Sequence, residues 1–349
     1  MPTALIAPDK FRGTATARQA AEAMARGASA LGWSAHQIPL ADGGEGMLDA
    51  LGSLGGRRRT VEVDGPSGRP VAAAWLEIGD VAVVEMAQAS GLLLAGGATG
   101  NDPLGATTRG TGQLIVAAAR ALAEGGTGRE GPGTVVVGLG GSATTDGGWG
   151  ALSAVEEAGG LGDVALVGAC DVEVAFAEAA PRFGPQKGAD PAQVIELGAR
   201  LEELADRYHH RYGIDVRAIP GTGAAGGLGG AIAVLGGRMR SGYDVVTELL
   251  AFGPALASSQ AVVTGEGAFD ATSLLGKVVG SVLRDAHAAE VPVMIVAGRV
   301  SDNAAATATG AGATVVSLTE RFGRERATED TLACLEQAVA EGLDDLHPG

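Results

Sequence analysis

The order of short apolar runs, glycine-rich acid-bearing loops and alanine-rich helical stretches limits the fold more than any other feature of this chain. Residues 4–7 read as a strand, Asp9 follows, and a helical stretch runs from about residue 16 to 31. Residues 35–40 read as the next strand. It closes on Ala41-Asp42-Gly43-Gly44-Glu45-Gly46 and hands over to a helix near Met47. Strands separated by helices pair in parallel, so both loops are expected at one edge of one sheet.

From residue 60 to 86 the pattern changes. Residues 61–63, 71–76 and 81–84 read as strands separated by Asp64-Gly65-Pro66 and Gly79-Asp80, the signature of an antiparallel meander. Arg57-Arg58-Arg59 just before it reads as a solvated turn. Alternation then resumes: a helix over 112–123, a strand over 134–137, a helix over 148–158, a strand over 164–167 and a polar helix over 191–208. The tail repeats the opening pattern, with strands at 261–264, 291–296 and 313–316 and a last helix over 329–341. The expected fold is α/β with two dissimilar α/β domains. One is a discontinuous doubly wound, mostly parallel, flavodoxin- or Rossmann-like sheet from residues 1–62 plus 255–349. The other is an inserted mixed α/β domain from residues 63–254.

Composition removes several function classes. A formal net charge of −16 and 3% aromatic residues speak against a nucleic-acid partner. Cys170 and Cys334 form neither a disulfide framework nor a metal-ligand spacing. Residues 218–237 carry no charge, but eight of them are glycine, which reads as loop rather than membrane span. The first residues lack a basic segment followed by a long apolar run, so a cytoplasmic protein with no membrane partner is expected. His36 reads as a packed or hydrogen-bond-satisfied strand residue and His209-His210 as solvated.

The chemistry is expected in the loops after the strands. Asp9, Asp42 and Glu45, Asp146, Asp171, and Glu266 with Asp270 each follow a strand and sit among glycines. In open parallel sheets ligands bind beyond the carboxyl ends of the strands. Glycine lets backbone amides approach an anion, and Mg²⁺ takes one or two carboxylates together with substrate phosphates. Those are the parts that phosphoryl transfer requires. Of 25 basic residues only Lys10, Lys187 and Lys277 are lysine, all in turns, and a compact ammonium is not interchangeable with a guanidinium at a phosphate. Lys187 and Lys277 are therefore candidate phosphate contacts. Arg109, in Thr107-Thr-Arg-Gly-Thr-Gly112, suits a small carboxylate. Ser142, Thr144 and Thr145 are helix caps or phosphate contacts. No Walker A motif is present. Gly221-Thr-Gly223-Ala-Ala-Gly226 matches a dinucleotide fingerprint and leaves a dinucleotide-dependent oxidoreductase as one non-kinase alternative, beside a non-catalytic small-acid binding protein.

Taken in order, these segments resemble the bacterial type I glycerate kinases along nearly the whole chain. The matching runs are Ala7-Pro-Asp-Lys-Phe-Arg-Gly13, Ala41-Asp-Gly-Gly-Glu-Gly46, Glu85-Met-Ala-Gln-Ala-Ser-Gly-Leu92, Thr107 to Gly112 and Gly138-Leu-Gly-Gly-Ser-Ala-Thr-Thr-Asp-Gly-Gly148. They continue through Phe183-Gly-Pro-Gln-Lys-Gly-Ala189, Gly221 to Gly229 and Thr264-Gly-Glu-Gly-Ala-Phe-Asp270, as far as Gly276-Lys277. The resemblance implies ATP- and Mg²⁺-dependent phosphorylation of D-glycerate to 2-phosphoglycerate. A glycerate 3-kinase or a kinase of another small hydroxy acid is the alternative, and a homodimer is left open. Asp9, Asp42, Asp270 and Lys277 are put forward as catalytic, with Asp42, Glu45, Glu266 and Asp270 open between holding Mg²⁺ and orienting the substrate hydroxyl, and Gly140, Gly141, Ser142, Lys187, Gly223, Gly226 and Gly227 as nucleotide contacts. Arg12 and Arg109 are the substrate contacts, and Glu45, Asp146 and Glu266 the Mg²⁺ ligands. The chain departs from the family pattern at Lys10, where serine is usual, at Glu173-Val174-Ala175, and at Thr272, where glutamine is common.

Overall fold

A computed structural model describes residues 1–124 and 132–346. The strands, in chain order, are β1 (Thr3–Ile6), β2 (Ser34–Gln37), β3 (Arg57–Asp64), β4 (Pro70–Ile78), β5 (Val81–Glu85), β6 (Gly133–Gly138) and β7 (Val164–Ala169). After them come β8 (Arg238–Arg240), β9 (Ala261–Thr264), β10 (Ala268–Phe269), β11 (Val293–Ala297), β12 (Arg299–Val300) and β13 (Thr314–Ser317). The chain divides into two compact units. The first comprises Met1–Asp42, Asp49–Leu51 and Tyr243–Gly349, and the second Gly43–Leu48 and Gly52–Gly242.

The first unit is built on a five-stranded sheet in the order β13-β11-β9-β1-β2. Every pairing in it is parallel. β1, β9 and β11 are buried along nearly their whole length, as expected of a parallel sheet covered on both faces. One face packs Ile6, Val263, Met294 and Val296 against Met24, Leu335 and Val339. Met24 comes from the helix Ala17–Ala30, which starts on a capping box in which Thr16 and Gln19 satisfy each other's free amides. β2 is an exposed edge, so His36 is solvated rather than packed.

The second unit carries a six-stranded mixed sheet, β3-β4-β5-β6-β7-β8. β3, β4 and β5 form the antiparallel meander, and β5 to β8 run parallel. Its core gathers Val63, Trp75, Val84, Leu114, Val135, Leu152, Leu201 and Tyr208.

The junctions lie elsewhere than at residues 62 and 254. Arg57-Arg58-Arg59 is not a turn but the start of β3, which pairs with β4 from Arg57 to Asp64, and Arg59 meets Glu77 at 2.7 Å. At the other junction the chain leaves the second sheet at β8. Tyr243 already belongs to the first unit, where its hydroxyl donates to Asp285 at 2.8 Å and its ring meets Phe252 edge-on. The polar helix also runs further than its sequence pattern, over Pro191–Tyr212, with His209 and His210 in its exposed last turn.

Candidate active site

In the first unit the chain moves from β1 to β2 on one side and from β9 through β11 to β13 on the other. The direction therefore reverses between β1 and β9, the point where doubly wound sheets open a crevice at their carboxyl ends. Three residues past β1 stands Asp9, and two past β9 stands Glu266. Their loops are laced together. Asp9 N donates to Gly265 O and Ala7 N to Val263 O, both at 2.8 Å, and Thr264 Oγ1 donates to Ala7 O at 2.8 Å. A side chain at Gly265 would collide with the carbonyl of Val296, which explains the glycine there. The β10–β12 pairing extends the next two loops side by side, and Gly298 N donates to Glu266 O at 3.0 Å.

These loops enclose a cavity of about 640 Å³. Asp9, Asp42 and Glu266 line it with Asp270, Lys277, Lys10, Arg12, Arg299 and Arg324. The first unit thus brings together five of the expected residues that are distant in sequence, and Arg12 with them. Burial pushes the Asp9 carboxyl up to about 7, and Asp42 and Glu266 add to the effect while Lys10 opposes it. Burial raises Glu266 as well, against the pull of Ser273 and Lys277. Glu266 Oε1 is buried with no hydrogen-bond partner among the described residues. Buried carboxylate oxygen of this kind fits a hard oxygen-seeking cation, and the charge crowding around Asp9 is what such a cation would relieve.

The rim is organised around Thr272. Its hydroxyl donates to Asp270 Oδ1 at 2.6 Å and accepts from Lys277 Nζ at 2.8 Å. The Thr272 hydroxyl holds Asp270 below the usual carboxylate range. Lys277 also stands at the N-cap of the helix Val278–Ala288. Arg299 and Arg324 also line this cavity, and neither stands in a loop whose acid marks it from sequence. Gly298-Arg299 directly follows β11, and that position was the available signal.

The second unit holds the remaining candidates, and there they are largely satisfied. Asp146 accepts from Thr108 N and Oγ1, both at 2.8 Å, from Gly148 N at 3.1 Å, from Gly150 N at 3.3 Å and from Thr107 Oγ1 at 3.4 Å. It ties two helix starts together instead of presenting an open ligand. Arg109 grips Glu157 with both terminal nitrogens, at 2.9 and 2.6 Å, and meets Asp64 at 3.2 Å, so its fork is already taken. Lys187 is buried, and its Nζ donates to Thr144 O at 2.6 Å. Burial brings its pKa down to about 7, with Asp146 pulling the other way. Asp171 accepts from Gly242 N at 2.8 Å.

The glycine loops of this unit pack on one another. Gly147 N donates to Gly226 O at 2.9 Å, and a side chain at Gly226 would strike the Thr144 carbonyl. Ala225, Gly226 and Gly227 are successive left-handed residues that kink the start of the helix Ala224–Val234. Gly223 sits against Ala175, Gly140 against Gly44, and Gly141 against the Glu45 side chain, while Ser142 bridges to Gly91. Gly221 follows the turn Val216–Ala218 and not a strand, so the dinucleotide fingerprint lacks the strand–turn–helix setting that gives it meaning. The expected metal set is divided: Glu266 is in the first unit, Glu45 and Asp146 in the second. Among the described residues no three His, Cys, Asp or Glu side chains form a ready metal cluster.

The chain matches the family model described as the glycerate kinase family over residues 4–160 and 156–344. An uncharacterized protein of Mycobacterium bovis is 41% identical over 337 residues, covering 92% of this chain and 85% of the relative. The glycerate 2-kinase of Escherichia coli K12 is 36% identical over 336 residues, covering 86% of each chain. The crystal structure of a glycerate kinase 2 candidate from Salmonella typhimurium LT2 superposes with a TM-score of 0.78 at 31% identity, covering 99% of both chains. Among the described residues no helix is long and apolar enough to cross a membrane.

Proposed function

Because the chain belongs to the glycerate kinase family, we propose that it transfers the γ-phosphoryl of ATP to D-glycerate, giving 2-phosphoglycerate and ADP. The observation that carries this reading is the cavity at the β1–β9 reversal, where the half-buried Asp9, Asp42 and Glu266 face a rim of Lys277 and arginines. Phosphoryl transfer asks a protein for positioning and charge stabilisation more than for covalent chemistry. Acids that accept or orient a hydroxyl proton, next to cations that hold anionic oxygens, supply both.

Asp9 is the group we assign to receive the proton of the glycerate hydroxyl. Raised to about 7, its carboxylate accepts a proton near neutral pH better than an ordinary aspartate does. Asp42 keeps that proton affinity high. Glu266 and Asp42 would hold Mg²⁺, which when bound supplies charge neutralisation to the phosphate oxygens. Lys277, whose ammonium donates to Thr272 beside Asp270, is assigned as a point charge for a phosphate. Arg12, Arg299 and Arg324 line the same cavity and are assigned to the substrate carboxylate and phosphates in place of the ion-paired Arg109. The backbones of Gly140, Gly141, Ser142, Gly223, Gly226 and Gly227 remain the proposed nucleotide contacts. Lys187 is assigned to bracing the Thr144 carbonyl of that loop.

ADP release with D-glycerate, L-glycerate and other small hydroxy acids tests the activity. The expected result is turnover with D-glycerate and a product whose phosphorus couples to a single proton in ³¹P NMR. Coupling to two protons would make the enzyme a 3-kinase. ADP release with another hydroxy acid but not with glycerate would discard the substrate assignment.

A further inference from the structure

β3 is an edge strand of eight residues, paired on one side only. Its outward backbone groups can be identified. Asp64 pairs in register with Pro70, which has no amide to give, and Asp64 N instead donates to Gln113 Oε1 at 2.7 Å, away from β4. Backbone groups alternate along a strand, so Glu62, Thr60 and Arg58 also turn their N–H and C=O groups outward. The helix Arg109–Glu124 covers the Asp64 end, where Gly110 lies against the Asp64 carbonyl. Arg58, Thr60 and Glu62 are exposed, whereas Val61 and Val63 pack toward the core.

An uncovered edge of this length invites pairing, and edge charges of one sign normally prevent it. Here the charges are of both signs and are symmetric about Thr60. A twofold axis through Thr60, perpendicular to the sheet, sets Thr60 opposite its own copy and Arg58 opposite Glu62 of the other strand, twice. All three positions point to the same sheet face, as opposed residues in an antiparallel pair must. A register shifted by one residue would place opposed side chains on different faces, which an antiparallel sheet does not allow. Beside the edge lies a groove of about 360 Å³, in which Val61, Val116 and Ala117 are flanked by Glu62 and Arg120. The same axis faces this groove with its own copy, and this adds apolar contact to a strand pairing that would be small by itself.

We propose that two copies of this chain associate through antiparallel β3 edges centred on Thr60, joining two six-stranded sheets into one. Sedimentation of the full chain tests this. The wild type is expected as a dimer at about 10 µM. Arg58→Glu sets glutamate against Glu62 on both sides of the axis and should weaken the dimer at least about tenfold. Arg58→Glu with Glu62→Arg restores unlike charges and should restore the dimer. Thr60→Pro removes an outward amide without touching the β3–β4 ladder, and should give a monomer with unchanged far-ultraviolet circular dichroism. A wild type monomeric at about 100 µM overturns the proposal. So does a dimer that ignores both Arg58→Glu and Thr60→Pro, or a charge swap that fails to restore association.

Discussion

The loop that carries Glu266 and the loop that carries Asp146 look alike in sequence, each an acid among glycines after a strand, yet they end in opposite states. Glu266 keeps a buried carboxylate oxygen with no hydrogen-bond partner among the described residues, beside an aspartate whose proton affinity is raised. Asp146 is wrapped by backbone amides and two threonine hydroxyls. An acid in a glycine loop therefore marks two things, a ligand site or a capped helix junction, and what separates them is whether local donors saturate it. The lysines divide the same way. Lys277 reaches the cavity rim through Thr272, while Lys187 is folded back onto the Thr144 carbonyl.

The sharpest way to break this comparison is activity. Lys277→Ala should lower kcat by about 10²–10³, with melting temperature and circular dichroism near wild type. Asp9→Asn should lower kcat at every pH, because it removes the carboxylate assigned to take the hydroxyl proton. Undiminished kcat in Lys277→Ala would return that lysine to a helix-end role. Asp146→Ala should do the reverse. It leaves the amides of Thr108, Gly148 and Gly150 without their acceptor, and should cost about 2–4 kcal/mol of stability in a urea titration. An Asp146→Ala protein of full stability but dead activity would make Asp146 a ligand residue after all.

Stability against pH sharpens the contrast with a smaller effect. The folded-state pKa of Asp9 lies above its ordinary 3.8, so folding favours its protonated form. The protonated carboxyl is free of that charge-burial cost below the ordinary value. Stability falls as pH rises toward about 7 and the buried carboxylate ionises. Asp9→Asn is neutral at every pH, so in metal-free buffer it should melt above wild type at pH 8 and level with it below about pH 4. A gap that does not change with pH would remove charge burial as its cause.

The doubly wound character of the first unit was legible because its helical and strand periodicities are clean and its acids sit at strand ends. The reversal between β1 and β9 was not legible, since strand order depends on long-range pairing that no local pattern encodes. Arg57-Arg58-Arg59 misled as a turn because three charges hide a strand whose apolar alternation starts only at Val61. The fates of Asp146 and Arg109 were equally hidden. Arg109 is neutralised by Glu157, which lies 48 residues away on another helix, and by Asp64 from β3. Thr272 carried a faint signal as a departure from the family pattern, and the structure makes it the link between Asp270 and Lys277.

Arg109 gives the smallest and most discriminating expectation. Its sequence setting, in a threonine- and glycine-rich helix start, is what a carboxylate reader would have, yet its guanidinium faces two acids of its own unit. Both pairs are partly solvent-exposed, so they add little to stability, and Arg109→Ala should lower the melting temperature by less than about 3 °C. It should leave the KM for glycerate within about twofold of wild type, whereas Arg299→Ala or Arg324→Ala, at the cavity, should raise it about tenfold or more. A large rise in the glycerate KM on Arg109→Ala, with none at Arg299 or Arg324, would mean that the Glu157 and Asp64 pairs open for the substrate. The carboxylate would then have to be assigned to the second unit.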